Sequence, residues 1–242
     1  PRRPPQRDRW TRPRSTGIVG KQQRSEYPAQ TGGVVAYTAD TSDLTSEQIA
    51  IKQQAHRFAA EILRPASIEL DALSAEEAIA PGSRLWGVFA KAYQACYHTR
   101  GLPPQFGGAE LGPLESHLIG EEFGWGSAGL AIALGAASMP FMFAAMTGNP
   151  DLIRDVVMPF AEDREGKYVG CWPGTEPNHG SDTIYATGDY AQPAIHMDCI
   201  ARKDGDEWVI NGQKYAWVSN GTIATHALLW VCVHPERGMS GN

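Results

Sequence analysis

The sequence has few of the features that mark secreted proteins or hydrolases. Its cysteines include no C-x-x-C pair; they are Cys96, Cys171, Cys199 and Cys232. No apolar segment follows the basic stretch at residues 1–24, so a secretory signal is not expected. The sequence also lacks a G-x-S-x-G motif, so Ser181 is a poor candidate for a hydrolase nucleophile. We therefore expect reduced thiols in a cytosolic type of compartment.

Positive charge is scarce outside the N-terminal stretch. The 242 residues carry a net charge of −6, yet residues 1–24 hold eight basic residues and a single acidic one, so the remaining residues carry −13. Because phosphate binding needs clustered Lys and Arg, we expect no nucleic-acid partner. Residues 1–42 are predicted to be a disordered basic leader, with a transit peptide as the alternative.

Residues 43–165 show helical patterns. Thr45 and Gln48 form a capping box that begins a helix, with Leu44 and Ile49 as its hydrophobic staple. Apolar residues then follow at spacings of four, three and four along one helix face: Ile51, Ala55, Phe58 and Ile62. Pro65 predicts an end or a kink of this helix. Further helices are predicted from Leu85 to Cys96, over 114–123 and over 150–156, with Asn149 as the N-cap of the last.

Residues 126–148 form an uncharged stretch that is long enough to span a membrane. Many of these residues are Ala and Gly, and Pro140 interrupts them, so we predict a helix buried on all sides of a core and no membrane span. Gly124, Gly126 and Gly129 spell G-x-G-x-x-G, but they follow a helix, so a dinucleotide fingerprint is not expected. Ser127 is predicted to be an N-cap between two helices.

Beyond residue 165 the pattern changes to short β-prone runs. Strands are predicted in 167–172 and 225–233, and residues 207–218 predict a hairpin that turns at Asn211-Gly212. Because helices and strands are segregated along the chain, the sequence predicts an α+β fold or two domains. We place the helical domain at 43–165 and the β domain at 166–242.

The loop CWPGTEPNHGSDT, residues 171–183, is the strongest candidate site. Its prolines stiffen the backbone, and Gly174 and Gly180 allow the main chain to approach a flat ligand. Thr175 and Ser181 add hydroxyls that both donate and accept. Composition alone leaves two interpretations open, a surface loop and a site for a polar heteroaromatic ring.

Other clusters of polar residues are weaker candidates. A zinc site made of Cys171, His179, His196 and Cys199 matches no usual ligand spacing, so no metal is predicted. The pairs Glu76-Glu77 and Glu121-Glu122 are interpreted as solvated faces or helix-end charges rather than as acid–base pairs.

Four segments together resemble the acyl-CoA dehydrogenase family. The loop resembles the flavin-contacting motif of the family through Thr175, Glu176, Pro177 and the Gly-Ser-Asp of 180–182. The segments GLPPQFGG, EEFGWGSAGL and NGQKYAWVSN resemble two helix junctions and a second flavin segment, in the same order along residues 43–235.

The resemblance implies FAD as the cofactor and oxidoreductase chemistry. It implies that residues 172–181 surround the FAD, that Trp217 stacks on its ring and that Ser219 bonds near N5, while Ser181 also contacts the CoA ester. The implied cofactor-binding residues are Trp172, Gly174, Thr175, Gly180, Ser181, Trp217, Val218 and Ser219. The implied reaction is α,β-dehydrogenation of an acyl-CoA thioester, in which a carboxylate takes the α-proton and a hydride passes to the flavin.

The resemblance also implies partners: an acyl-CoA substrate, an electron acceptor such as an electron-transfer flavoprotein, and further copies of the chain. It implies a cytoplasmic location, or the mitochondrial matrix in a eukaryote. Three departures from the family pattern matter, namely one extra residue between Lys214 and Trp217, a longer segment at 185–198, and no residue assignable as the catalytic base.

We therefore expect an incomplete antiparallel β-barrel or sandwich after the helical domain, and a truncated chain with little activity of its own. Two alternatives stay open. One is a non-catalytic remnant that binds a CoA ester or another subunit, and the other is a flavin oxidase or monooxygenase on the same scaffold.

Overall fold

Helices fill the first part of the described chain. The computed structural model describes residue 41, residues 43–184 and residues 192–241. The α-helices are α1 Ser46–Phe58, α2 Arg64–Asp71, α3 Ala75–Ile79, α4 Arg84–Gln94, α5 Pro113–Met146, α6 Pro150–Leu152 and α7 Met158–Glu162. Two π-helical turns lie at Ala59–Leu63 and Ile153–Val157, and 3₁₀ turns at Pro104–Phe106, Ser181–Ile184 and Pro235–Gly241. The predicted leader, apart from residue 41, and residues 185–191 lie outside the described residues.

The N-terminal capping predictions are confirmed. Thr45 and Gln48 form both hydrogen bonds of a capping box at the start of α1. Asn149 accepts from the backbone N–H groups of residues 151 and 152. Pro65 does not end the first helix, because the π-helical turn 59–63 carries the chain into α2 just before the proline.

Helix α5 is a kinked helix with one buried side. Ser127 has non-helical angles (φ −168°, ψ 113°), and its hydroxyl accepts from the N–H of Leu130 at 3.3 Å. The predicted N-cap at Ser127 is therefore confirmed. The predicted burial on all sides is wrong, because Ile132 and Met146 are 61% and 74% exposed. By length and composition alone α5 could cross a membrane, a test that core helices of soluble proteins also pass, so the absence of a span stays a prediction.

The helical core is aromatic and includes a buried ion pair. Phe141 and Phe160 stack with their ring centroids 3.9 Å apart. The interpretation of Glu122 as solvated is wrong, because it is 1% exposed and lies 2.6 Å from Lys52 Nζ and 2.7 Å from His56 Nδ1. A carboxylate this deep is retained only when cations neutralise it. Since Lys52 and His56 both lie on α1 and Glu122 lies on α5, these two contacts join α1 to α5.

The strands form two small sheets. They are β1 Gly170–Cys171, β2 Ile200–Asp204, β3 Glu207–Asn211 and β4 His226–Ala227. β1 pairs with β4 in parallel, so the prediction that the last third is purely antiparallel is wrong. In the described residues the sheets have two strands each and close no barrel or sandwich. The α+β class and the helical N-terminal part are confirmed, while the domain boundaries at 42/43 and 165/166 stay predictions.

The hairpin lies elsewhere than predicted. β2 pairs antiparallel with β3, and Asp204 faces Glu207 across a two-residue turn at Gly205-Asp206. Gly205 has φ +60°, which suits such a turn. Gly212 does not form that turn, because it follows the end of β3 and packs against Cys199, where a Cβ on residue 212 would lie 2.4 Å from the Cα of Cys199.

Candidate functional site

A cavity of about 500 Å³ opens beside the carboxyl end of β1. Its walls come from the loop after β1, the segment before β4 and the residue Trp230 that follows β4. The lining residues are Trp172, Gly174, Thr175, Gly180, Ser181, Thr183, Met197, Trp217 and Trp230. A cavity of this size falls within the range of small-molecule and cofactor sites.

The structure brings most of the candidate residues together. The loop residues and Trp217 that were singled out from the sequence all line this cavity; they are Trp172, Gly174, Thr175, Gly180, Ser181 and Trp217. Val218 and Ser219 follow Trp217 directly and are half-buried, but they are not part of the cavity wall. Two segments about forty residues apart in sequence therefore meet at one site.

Three wall residues were missed by sequence reasoning: Thr183, Met197 and Trp230. The ring of Trp230 lies 5.9 Å from that of Trp172 and 6.4 Å from that of Phe143 on α5. Trp230 sits in the run 225–233, whose β-prone pattern was recognised without any signal for a site. Its role depends on pairing between β1 and β4, which local sequence does not reveal.

The cavity wall offers aromatic surface and unused hydrogen-bonding capacity. Nε1 of Trp172 is buried and has no hydrogen-bond partner in the described part of the chain. A buried donor without a partner is uncommon and costs free energy. Trp217 is 91% exposed although it lines the cavity, so the cavity is open on that side.

Hydrogen bonds within the loop 175–183 fix its shape. The N–H of Gly180 donates to Asp182 Oδ1 at 2.6 Å, and His179 Nδ1 lies 2.8 Å from Asp182 Oδ2. Burial opposes ionisation of both groups, but the hydrogen bond and charge of Asp182 outweigh it and raise the pKa of His179. The Gly180 N–H and His179 likewise lower the pKa of Asp182 against the effect of burial.

Glu176 anchors this loop from below. Its carboxylate, in a residue that is 2% exposed, accepts from the N–H groups of Asp198 and Cys199. It also accepts from Lys214 Nζ at 2.7 Å, and the same ammonium lies 3.5 Å from Met197 Sδ. Glu176 therefore has a structural role, and it connects the loop to the segment that carries Trp217.

Asn220 fixes the other end of that segment. Its Nδ2 donates to the carbonyls of Ala133 on α5 and Gly170 in β1, at 2.8 and 3.1 Å. Asn220, Trp217 and Ala216 all have positive φ, at 64°, 54° and 46°. Positive φ in non-glycine residues is unfavourable and is often found at binding sites. Asn220 was missed as a site residue, although Asn is favoured among non-glycine residues at positive φ.

A cation is not favoured at the carboxylates beneath the cavity. Ligand atoms of Glu176, His179 and Asp198 lie within 4.8 Å of one another. The Glu176 carboxylate already accepts three hydrogen bonds, one of them from the Lys214 ammonium. A metal ion would have to displace or face that positive charge. The four residues first considered as zinc ligands do not form a ligand group in the described ranges.

The lining residues could bind a flat, polar ring but could not remove a proton from carbon. They supply indole rings, the hydroxyls of Thr175, Ser181 and Thr183, and exposed main chain, but no carboxylate. Abstraction of a proton next to a carbonyl needs a base within hydrogen-bond reach of that proton. The described lining therefore holds a binding site without a proton acceptor.

Comparison with known proteins identifies relatives of this chain. Residues 45–164 match the family model described as the acyl-CoA dehydrogenase N-terminal domain. The cyclohex-1-ene-1-carbonyl-CoA dehydrogenase of Geobacter metallireducens is 32% identical over 140 residues, which cover 58% of this chain and 33% of that relative. The chain thus spans about a third of this curated relative.

Solved structures share the fold. A structure of PigA with FAD and proline matches with a TM-score of 0.64 at 24% identity, covering 82% of this chain and 46% of that one. A nitroalkane oxidase, an active-site mutant crystallised with 1-nitrooctane, matches with a TM-score of 0.59 at 23% identity, covering 74% and 40%. The family model that matches residues 45–164 places the helical part of the chain in the acyl-CoA dehydrogenase family.

Proposed function

We propose that this chain carries part of the FAD site of an enzyme that dehydrogenates an acyl-CoA thioester between Cα and Cβ. The observation that carries the proposal is the meeting of residues 172–181 with Trp217 around one cavity of about 500 Å³. The family resemblance implies that these same residues bind the flavin. Dehydrogenase activity in the relative from Geobacter metallireducens supports the reaction class.

The cavity fits a flavin by its chemistry. Trp172 Nε1 is a buried donor without a partner, and a flavin ring offers several acceptors. The Thr175 hydroxyl can donate or accept beside it. Trp217 is positioned to cover one face of a flat ring. When bound, FAD would supply the two-electron oxidation that no amino-acid side chain provides.

The remaining parts of the reaction fall to separate residues. Ser181 would contact the thioester, and Trp217 and Trp230 would keep water from the ring. Because the described lining has no carboxylate, the base that abstracts the proton would come from outside that lining. The proposal extends to an electron-transfer flavoprotein as acceptor, a homo-oligomer, a closed β-barrel in the whole enzyme, and a cytoplasmic or mitochondrial-matrix location.

The first test measures FAD binding by the 242-residue chain through quenching of flavin fluorescence. We expect Trp217→Ala and Thr175→Ala each to weaken binding about tenfold, the effect of losing about 1.4 kcal/mol. Trp208→Ala is the matched control, because Trp208 is an exposed tryptophan on β3 outside the cavity, and its affinity should not change. Equal losses in all three variants would contradict the proposed site.

The second test adds an acyl-CoA to the FAD-loaded chain without oxygen and follows flavin absorbance. We expect slow bleaching or none, because the described lining lacks a base. Rapid bleaching would show that a base lies within these residues and would overturn that part of the proposal.

An oxidase is the second candidate function, favoured by the shared fold of nitroalkane oxidase. It predicts oxygen consumption and peroxide, whereas a dehydrogenase passes its electrons to another protein. A non-catalytic binder of a CoA ester predicts ligand binding with no flavin reduction even in the whole protein. Measuring peroxide and flavin reduction together distinguishes the three.

A further inference from the structure

A second cavity, of about 170 Å³, lies in the helical part of the protein. It opens between α1, the residues that follow α4, the loop 101–112 and α5. Apolar side chains form most of its wall; they are Ile51, Ala95, Ala109, Leu111 and Ile119. It shares no lining residue with the cavity assigned to the flavin. A ligand in this cavity would therefore bind without touching the residues assigned to the flavin.

Arg100 brings a positive charge to this apolar wall. Its Nη1 is buried and has no hydrogen-bond partner, and no acidic side chain pairs with it anywhere in the described ranges. The guanidinium carbon of Arg100 lies 5.7 Å from the centroid of the Phe123 ring. Burial lowers the pKa of Arg100, but arginine stays charged in proteins. Arg100 as a whole is half-buried, and a charge held partly out of water without an anion beside it is uncommon.

Among the residues that the structure describes, no neighbouring side chain neutralises the charge of Arg100. Burial raises the pKa of Tyr97, which also lines the cavity, so its phenol is neutral at physiological pH. Arg57 acts on Tyr97 as a second positive charge and has no ion pair in the described part of the chain. The cavity therefore combines an apolar wall with uncompensated positive charge, a combination that favours a ligand with an anionic head and an apolar tail.

We propose that this cavity binds a short aliphatic carboxylate, whose carboxylate pairs with Arg100 and whose alkyl group contacts Ile51, Leu111 and Ile119. Guanidinium groups bind carboxylates through two parallel hydrogen bonds. A cavity of about 170 Å³ has room for about five or six non-hydrogen atoms at the ~30 Å³ that each water occupies in the liquid. Butanoate, with six such atoms, is the probe that matches this size.

Cys96 makes the site measurable without knowing its natural ligand. It lines this cavity and is exposed, whereas Cys171, Cys199 and Cys232 are buried. Alkylation by neutral iodoacetamide, located by peptide mass mapping, therefore reports on this cavity alone. With a Kd of about 1 mM, which is within reach of ligands this small, about 10 mM butanoate should slow alkylation of Cys96 about tenfold.

Three comparisons make the test specific. Butanamide has the same shape without the charge and should not slow alkylation. Arg100→Met should remove the protection by butanoate, while Arg100→Lys, which keeps the charge but not the paired geometry, should keep a weaker protection. Arg202→Met, at an exposed arginine of β2, is the control and should behave as the wild type.

Arg100→Met should fold, because it removes a half-buried charge that has no acidic partner in the described residues and keeps a side chain of similar length. Circular dichroism checks this, and Arg100→Lys gives an independent readout. The proposal is overturned if butanoate leaves the wild-type rate unchanged, if butanamide protects as well as butanoate, or if Arg100→Met stays fully protected.

Discussion

The ammonium of Lys214 lies 2.7 Å from Oε1 of Glu176, and both side chains are almost completely buried. Glu176 belongs to the loop after β1, and Lys214 begins the segment that carries Trp217. The ion pair therefore connects the two walls of the candidate flavin cavity. It does so from beneath the cavity, where neither group lines it.

Replacing Glu176 by Gln should destabilise the protein strongly. The substitution leaves the Lys214 ammonium buried without its carboxylate, which costs about 3–5 kcal/mol. Urea unfolding measures the loss. The control is Glu165→Gln, which breaks a surface pair with Lys167 of the same 2.7 Å length and should cost less than about 1 kcal/mol. Similar small losses in both variants would show that burial of the Glu176 pair does not matter.

Replacing Asn220 should separate a hydrogen-bonding role from a backbone role. Asn220→Ala loses the bonds to the carbonyls of Ala133 and Gly170 and keeps an unfavourable positive φ, so we expect a loss of about 2–3 kcal/mol. Asn220→Gly loses the same bonds without the φ penalty and should be about 1 kcal/mol more stable than the Ala variant. Urea unfolding of the two variants checks this. Wild-type stability in Asn220→Ala would mean that the two hydrogen bonds contribute nothing.

Gly170 should not tolerate a side chain. A Cβ at this position would lie 2.5 Å from the carbonyl oxygen of Ala137 and from Cδ of Pro140, so Gly170→Ala should cost about 1–3 kcal/mol through overpacking. Gly135→Ala, in α5 with open space around its Cβ, should instead gain as much as about 1 kcal/mol from helix propensity. Thermal unfolding of both variants gives the comparison, and a neutral Gly170→Ala would mean that β1 can move away from α5.

His98 should make the protein less stable in acid. It is 3% exposed, neither ring nitrogen forms a hydrogen bond within the described ranges, and its ring stacks on that of Tyr93 at 4.1 Å. Burial, reinforced by the charge of Arg164, lowers its pKa to about 4, while Asp163 and the carbonyls of residues 160 and 161 offset only part of this effect. The unfolded chain binds the proton near pH 6.5, so the folded state loses stability as the pH falls.

The loss should begin below pH 6.5 and be complete near pH 4. Its size should be as much as about 3 kcal/mol, at 1.36 kcal/mol for each unit of pKa difference. Urea unfolding of the wild type and of His98→Phe at pH 7 and pH 4.5 isolates this contribution from that of the carboxyl groups. Equal pH dependence in the two proteins would show that His98 is not the group responsible.

Local features of this fold could be read from the sequence. Thr45, Ser127 and Asn149 were recognised as N-caps because a capping side chain bonds to N–H groups within three residues of itself. The loop 171–183 was singled out as a candidate site by its composition together with the family resemblance, and several of its residues line one cavity. In each case the interacting groups lie side by side in the chain.

Features that depend on contacts between residues far apart in the chain could not be predicted from the sequence. Asn211-Gly212 and Gly205-Asp206 both suit a hairpin turn. The structure turns at Gly205-Asp206, and Gly212 packs against Cys199 instead. The partner of Glu176 lies 38 residues further on, and those of Asn220 lie 50 and 87 residues earlier. No local pattern marks such partners.

The parallel pairing of β1 with β4 has a consequence for how this protein folds. The hydrogen bond between Val169 and Thr225 spans 56 residues, so closing that loop costs chain entropy before any contact is gained. Each helix on its own is held by backbone hydrogen bonds between residues about four apart and needs no such closure. In refolding we expect helical circular dichroism to recover early and the walls of the candidate flavin cavity to meet late. The rate at which the chain regains flavin binding would then report the last folding step.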